Sequence, residues 1–291
     1  MAEILRNLRR RVRSVANTRQ VTRAMAMVSA AKLRRTRAAL AAARPYAEKI
    51  KALLARVAAS VSGEFAHPLF ARRDEKRILL VLFTGDRGLC GAFNSNIIEK
   101  AEEFLAGRGG ANVELYCIGK RGRDSFRRRG WDIFDQVVDL RGRVDLATTR
   151  TVASRLQEHY ARGATDAVYL CYNTAISAIA YRGRVEKFLP LDPAAMGLAE
   201  AEPVAADYIF EPSREAVFAQ LLPRYCESRI YEVLADALTA EHSTRMMAMN
   251  NASNNCEELI DTLTLRMNKA RQASITKEIL DIVGGAEAVK A

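Results

Sequence analysis

Residues 1–62 contain no glycine, and neither do residues 198–283. All sixteen glycines lie between Gly63 and Gly197 or in the pair Gly284-Gly285. Glycine costs roughly 1 kcal/mol in a helix interior relative to alanine, so its absence removes a common interruption from both ends of the chain. Acidic residues are withheld as unevenly. Residues 1–60 hold 15 of the 45 Lys and Arg but only Glu3 and Glu48 of the 34 Asp and Glu, so that stretch carries a formal +13 and the remainder −2. No run of about 18 uncharged apolar residues occurs, which excludes a bilayer-spanning helix. The five cysteines (Cys90, Cys117, Cys171, Cys226, Cys256) include no C-x-x-C pair. The histidines His67, His159 and His242 cluster neither with them nor with each other. A metal site is therefore not expected, and the cysteines read as free, mostly buried thiols of a reducing compartment. No paired carboxylates and no nucleophile with a base stand out, so neither catalytic residues nor a cofactor are expected.

What is present is helix at both ends. Apolar residues recur at Ile4, Leu5, Leu8, Val12 and Val15, then Val21, Met25 and Val28, then Leu33 and Leu40. Steps of three and four dominate, with a slip near Asn17, which predicts an amphipathic helix with an imperfect coiled-coil seam over residues 1–62. Pro45 either kinks it or opens a second helix, and Ser62-Gly63 supplies a stop. The arginine-rich start resembles an organellar presequence in charge, but the periodicity runs on through it, so it reads as mature protein. A second helix is expected over 213–285, capped by Ser213, interrupted by Pro223 and ended by Gly284-Gly285. Its apolar positions include Ile230, Val233, Leu234, Met246, Met249, Cys256, Leu259, Leu263 and Met267. Sixty helical residues span about 90 Å, too long for an isolated globular helix. Each is the other's obvious partner, and since one enters and the other leaves the middle of the chain, they pair antiparallel.

The middle, 76–210, alternates strand with helix. ILLVLF (Ile78 to Phe83) is a buried-strand run, followed by a glycine-rich turn and a helix capped by Asn94. Strands are expected at Val113–Ile118, Trp131–Val138 and Ala167–Tyr172, with one or two antiparallel strands over Ile176–Leu189 and another at Tyr208–Phe210. Helices are expected at Arg121–Arg129 and Asp145–Arg162. The fold class is α/β: a long antiparallel coiled coil of terminal helices with an inserted α/β domain whose sheet is mostly parallel. The turn TGDRGLCGAFN (Thr84 to Asn94) stands where a phosphate loop would, but Gly85, Gly88 and Gly91 fit neither G-x-G-x-x-G nor the Walker spacing. The basic helix calls for a polyanionic partner: nucleic acid, anionic lipid or acidic protein loops.

NTRQVTRAMAMVSAAKLRR (Asn17 to Arg35), ARPYA (Ala43 to Ala47), DRGLCG (Asp86 to Gly91), RMMAM (Arg245 to Met249) and ARQASITKEILDIVGGA (Ala270 to Ala286) resemble the γ subunit of F-type ATP synthase, in that family's order and over essentially the whole chain. The resemblance implies a Rossmann-like α/β domain between the coiled-coil helices. It also implies a non-catalytic central shaft that couples ion flow through a membrane c-ring to chemistry in β subunits. Its implied partners are the α and β subunits, the ε subunit and the c-ring, with no nucleic acid. Its implied location is the cytoplasmic face of a bacterial inner membrane, peripheral to it through the c-ring. By matching positions it implies a polar latch to a β subunit at Arg271, Gln272 and Thr276. Contacts with acidic lever loops of β are implied at Met25, Arg19, Arg23, Lys32, Arg34 and Arg35. Contacts at the foot of the shaft, toward ε and the c-ring, are implied at Asp86, Arg87, Tyr208 and Glu211. Gly85, Ala92 and Asn250 depart from the serine, glycine and lysine that many relatives carry there. Two rival readings remain: a basic coiled coil that binds nucleic acid, and a Rossmann-type enzyme with helical extensions.

Overall fold

The computed structural model describes residues 2–60, 67–109, 111–176, 180–194, 196 and 210–290. They fall into two compact units, Met1–Ser29 with Arg245–Ala291, and Ala30–Thr244. Helices α1 (Ala2–Ser60) and α5 (Arg214–Lys290) contribute to both.

In the first unit the two helices pair antiparallel. Arg19 Nη1 of α1 lies 3.3 Å from Glu257 Oε1 of α5. The inward positions of α1 are Leu5, Leu8, Val12, Val15, Arg19, Thr22, Ala26 and Ser29. Their spacing alternates three and four without a break, the heptad of a coiled coil. The slip expected near Asn17 is absent, because the seam passes through small and polar residues. The Thr22 hydroxyl donates to the Arg19 carbonyl at 3.0 Å and Ser29 to Met25 at 2.8 Å, which satisfies both inside the interface. Val21, Met27 and Val28 stay exposed, at 58%, 62% and 57%. On α5 the facing positions are Met249, Ala252, Cys256, Ile260, Leu263, Met267, Ala270 and Ser274, again three or four apart.

The second unit is built on a five-stranded sheet in the order β3-β2-β1-β4-β5. Its strands are β1 (Arg77–Phe83), β2 (Asn112–Ile118), β3 (Ile133–Val137), β4 (Ala167–Ala175) and β5 (Tyr181–Leu189). The first four run parallel and β5 antiparallel to β4. Alternate residues of β1 serve opposite faces, as the period of a strand requires. Ile78, Leu80 and Leu82 pack with α2 (Phe93–Ala106) and α3 (Lys120–Arg128). Leu79, Val81 and Phe83 pack with α4 (Leu146–Ala161) and with the segments of α1 and α5 in this unit, through Leu54, Val57, Phe218, Leu222 and Val233.

Several local signals act differently from expectation. Asn94 is not the α2 cap: Ala92 holds that position without a side-chain bond, while the Asn94 side chain ties the preceding loop. Asp145 does cap α4, accepting from Thr148 N at 3.0 Å, and Ser213 caps α5, accepting from Ala216 N at 3.2 Å. Pro45 and Pro223 lie inside continuous helix. Pro45 sits on an exposed face, where water can take the carbonyl its missing N–H leaves open. Helix α5 continues past Gly284-Gly285 to Lys290 rather than stopping there. The expected stop at Ser62-Gly63 lies outside the described residues, as does Tyr208. Phe210, at the end of the expected last strand, is not in a strand. Among the described residues no helix is long and apolar enough to cross a membrane.

Candidate functional site

In an open α/β sheet, ligands bind beyond the carboxyl ends of the strands where strand order reverses. Here that point lies between β1 and β4, directly above the turn Thr84–Asn94. The turn is tied down from several sides. The Thr84 hydroxyl donates to the carbonyl of Ile118 at 3.1 Å and accepts from Gly122 N at 2.9 Å. Asn94 Oδ1 accepts from Gly85 N at 2.8 Å, and its amide donates to the Arg87 carbonyl at 3.3 Å. Asp86 accepts from Lys120 N at 3.1 Å and from Leu140 N at 2.9 Å. The backbone N–H of Gly85, which a phosphate would need, is therefore already used.

Helix α5 fills the crevice itself. Ala240 packs with Cys90, Phe93 and Tyr181. Glu241, 7% exposed, sets its carboxylate against Gly85. His242 Nε2 lies 3.2 Å from the Gly142 carbonyl. A carboxyl side chain stands where a nucleotide's phosphates would have to enter, so the geometry turns away from the dinucleotide enzyme. Lower on the same helix, Arg229 donates to Glu186, to Tyr172 at 3.2 Å and to Glu232 at 3.0 Å. Burial pulls the Arg229 guanidinium down, but the Glu186 charge and these bonds raise it on balance. Burial pushes the Asp236 carboxyl up, against the Thr174 hydrogen bond and the Arg229 charge. The long helix is thus clamped to β4 and β5 through half-buried polar groups as well as apolar ones.

The cysteines are free, and Cys90, Cys117, Cys171 and Cys226 are buried. Burial pushes the Cys117 and Cys171 thiols up to about 12, far from a reactive thiolate. Among the described residues no group of three or more His, Cys, Asp or Glu could hold a metal ion.

The surface that remains is on the paired helices. Arg6, Arg9, Arg10, Arg11, Arg13 and Arg23 are exposed on α1 of the first unit. Arg271, Gln272 and Thr276 are exposed on α5. Arg19 is half-buried beside Glu257, and Met25 is half-buried in the flank of the seam. Lys32, Arg34 and Arg35 belong to the second unit. Arg34 and Arg35 are exposed there, while Lys32 reaches the Arg141 carbonyl at 3.5 Å. Asp86 is an internal anchor of its turn, whereas Arg87 and Glu211 are exposed. Sequence periodicity missed a further set, the apolar residues that face outward. Beyond Val21, Met27 and Val28, these are Ile275, Ile279, Leu280, Ile282 and Val283 near the end of α5, all about half exposed or more. The available signal was their position off the heptad.

A family model described as ATP synthase matches residues 4–289. The ATP synthase gamma chain of Pelotomaculum thermopropionicum is 45% identical over 286 residues, covering 98% of this chain and 99% of that protein. The gamma chain of Moorella thermoacetica is 44% identical over 286 residues, with the same coverage. This chain belongs to the ATP synthase γ-chain family. Among solved structures it is similar to a chain of the central stalk and c-ring of Tetrahymena thermophila mitochondrial ATP synthase, with a TM-score of 0.60 and 27% identity over 80% of this chain and 99% of that one. A chain from the rotor of the Euglena gracilis mitochondrial enzyme shares the fold, with a TM-score of 0.64 at 16% identity over 94% of this chain and 100% of that one. As a γ chain it is a non-catalytic subunit, and the chemistry of the enzyme belongs to the β subunits. Family membership sets aside both rival readings, the nucleic-acid binder and the Rossmann-type enzyme.

Proposed function

We propose that this chain is the turning central shaft of a bacterial F-type ATP synthase, and that its two units divide the work. The observation that carries the reading is the pair of helices in the first unit. Its seam mixes bulky residues such as Leu8 and Leu263 with small ones such as Ala26 and Ser29, while further bulky apolar side chains and several arginines are turned outward. A two-helix pair gains nothing from exposing Val28, Leu280 or Ile282; a shaft inside a sleeve of α and β subunits does. The exposed surface of the pair mixes charged and polar residues with scattered apolar side chains, and offers contacts that are individually small and easily exchanged, which suits rotation. Exposed ion pairs contribute only about 0–1 kcal/mol each.

In this reading Arg271, Gln272 and Thr276 form a transient latch with one β subunit. Their exposure on α5 and the five or more donors of Arg271 with Gln272 support it. Met25, Arg19, Arg23, Lys32, Arg34 and Arg35 meet acidic lever loops of β as these sweep past. The second unit is the foot, contacting ε and the c-ring through Arg87, Glu211 and the segment holding Tyr208, with Asp86 shaping the turn that presents Arg87. In this reading the terminal helices 1–62 and 213–285 form the shaft and 76–210 the inserted domain, so the second unit holds that domain together with the adjoining part of the shaft. The two gamma chains most similar in sequence among those named above come from bacteria, which supports a place on the cytoplasmic face of the inner membrane, held there through the c-ring.

A shaft shifts the three catalytic sites only by its differential contact energy with their competing conformations. Coupling is reciprocal, so MgATP hydrolysis drives the same shaft backwards. The test is co-expression with the α and β subunits of the same organism. The chain should co-purify with them in a complex that hydrolyses MgATP. A chain that stays free, while α and β assemble without it, would reject the reading.

A further inference from the structure

Two cavities in the second unit share a wall. One, of about 490 Å³, is lined by Lys32, Arg35 and Thr36 of α1 and by Arg141–Val144 of the loop before α4. The other, of about 460 Å³, is lined by Ala42, Ala43 and Tyr46 of α1, by Leu146 and Thr149 of α4, and by Tyr231 of α5. Ala39 lines both, so they form one groove along α1 from Lys32 to Tyr46. Fourteen helical steps make it about 21 Å long. Its floor is small residues, Thr36, Ala39, Ala42 and Ala43, which let another backbone approach closely.

The groove is polarised. Its first half presents four cations, Lys32, Arg35, Arg141 and Arg143, and, among the described residues, no lining carboxylate. The carboxylates nearest along that loop are engaged elsewhere: Asp139 pairs with Lys120 at 2.8 Å, and Asp145 accepts from Thr148. The loop is built to hold its arginines there. Arg141 has φ 52° and Gly142 φ 66°. A Cβ at Gly142 would stand 2.8 Å from the His242 ring, so only glycine lets the loop close onto α5. The second half is mostly apolar, with Tyr46 and Leu146 exposed at 56% and 60%, although Arg150, Arg224 and Glu227 also line it. Glu227 there is shared by Arg150 and Arg224 at 3.6 and 3.5 Å.

We propose that this groove is a docking site for an amphipathic helix of about four turns from another subunit of the complex, carrying carboxylates at one end and an apolar stripe at the other. Charge complementarity selects the acidic end, and the small-residue floor with the Tyr46–Leu146 wall receives the apolar stripe. The proposal rests on the reading of the chain as a rotor subunit, and it adds Arg141, Arg143 and Leu146 to the surface that meets partners.

The experiment places a photo-crosslinking amino acid at Ala42 in the assembled ATP synthase and identifies the joined peptide by mass spectrometry. The expected product is a helical segment with clustered Asp or Glu beside an apolar stripe. The double variant Arg141→Glu/Arg143→Glu, on the exposed loop, should lower its yield about tenfold, the effect of about 1.4 kcal/mol. MgATP hydrolysis measured on the same sample reports assembly. Absence of a cross-link in an active complex, a product without acidic residues, capture of lipid or a second copy of this chain, or a yield indifferent to the charge reversal would each overturn the proposal while leaving the shaft reading intact.

Discussion

The carboxylate of Glu241 lies against Gly85, so close that a Cβ at Gly85 would stand 3.0 Å from it. One residue of the long C-terminal helix thereby closes the crevice that in related sheet topologies receives a nucleotide. The sheet is kept, and its ligand position is occupied by α5. This is a way to make the α/β domain a rigid fitting for α5 rather than a separate catalytic domain.

Two glycines of this region should respond differently to alanine. At Gly85 the added methyl meets only the end of a flexible side chain, which can give way. At Gly119 it would stand 2.1 Å from the Thr84 carbonyl oxygen, at a φ of 97°. We expect Gly119→Ala to cost about 3 kcal/mol or more, from backbone strain and overpacking together, and Gly85→Ala to cost about 1 kcal/mol or less. Thermal unfolding of the purified chain followed by circular dichroism measures both. Equal losses would show that the Thr84–Gly119 contact is not as tight as described.

Leu263 and Leu265 are two residues apart on α5, one 2% and the other 58% exposed. Leu263→Ala should destabilise the helix pair by about 2 kcal/mol or more. Leu265→Ala should leave the isolated chain within about 0.5 kcal/mol of its parent. Helical melting read by far-ultraviolet circular dichroism separates the two, and a reversal of their order would contradict the assigned seam.

Asp166 accepts from Arg77 N at 2.9 Å and from Arg77 Nη2 at 2.7 Å at the head of β1. The hydrogen bonds and charge of Arg77 hold its carboxyl below the usual carboxylate range, against the upward push of burial. A depressed folded-state value stabilises the fold at pH above the unfolded value, about 3.9, and the contribution is lost as the pH falls through the folded value. Asp166→Asn should therefore be about 1–2 kcal/mol less stable at pH 7. That gap should narrow below about pH 4. Denaturant titrations at pH 7 and pH 3 test it, and a gap that is constant or widens in acid contradicts the assignment.

The latch reading predicts what truncation does. Removing the residues after Gln272 deletes Thr276 and the outward Ile279, Leu280 and Ile282, while leaving the α/β fold and the Arg19–Glu257 pairing in place. ATP-driven ion pumping into vesicles should fall more than hydrolysis does, with the far-ultraviolet spectrum of the head unchanged. Full coupling after that deletion removes Thr276 and the outward apolar surface from the mechanism.

The sheet was largely legible from residues such as Ile78 to Phe83 and Ala167 to Tyr172, because a strand buried on both faces leaves a continuous apolar run. The seam of α1 was legible only in part. Hydropathy points to Val21 and Val28, yet the inward residues are Thr22, Ala26 and Ser29. Close helix approach selects for small size, and hydroxyls bonded back to their own helix carry little polar penalty inside. Bulky apolar residues, set free from the seam, mark the outer surface instead. Asn94 was misread because a residue that can cap a helix can equally bind the Gly85 N–H, and the loop geometry decides. Gly284-Gly285 was misread as a stop because glycine lowers helix stability without ending a helix by itself. The basic cleft was invisible in sequence, since Arg141 and Arg143 lie more than a hundred residues from Lys32 and Arg35.

The most direct measurement is rotation. With the catalytic hexamer fixed to a surface and a bead bound through an engineered cysteine at the exposed Arg87, saturating MgATP should turn the bead in one direction, in three steps per revolution. Sustained hydrolysis with the bead stationary on an intact complex would contradict the account at its centre.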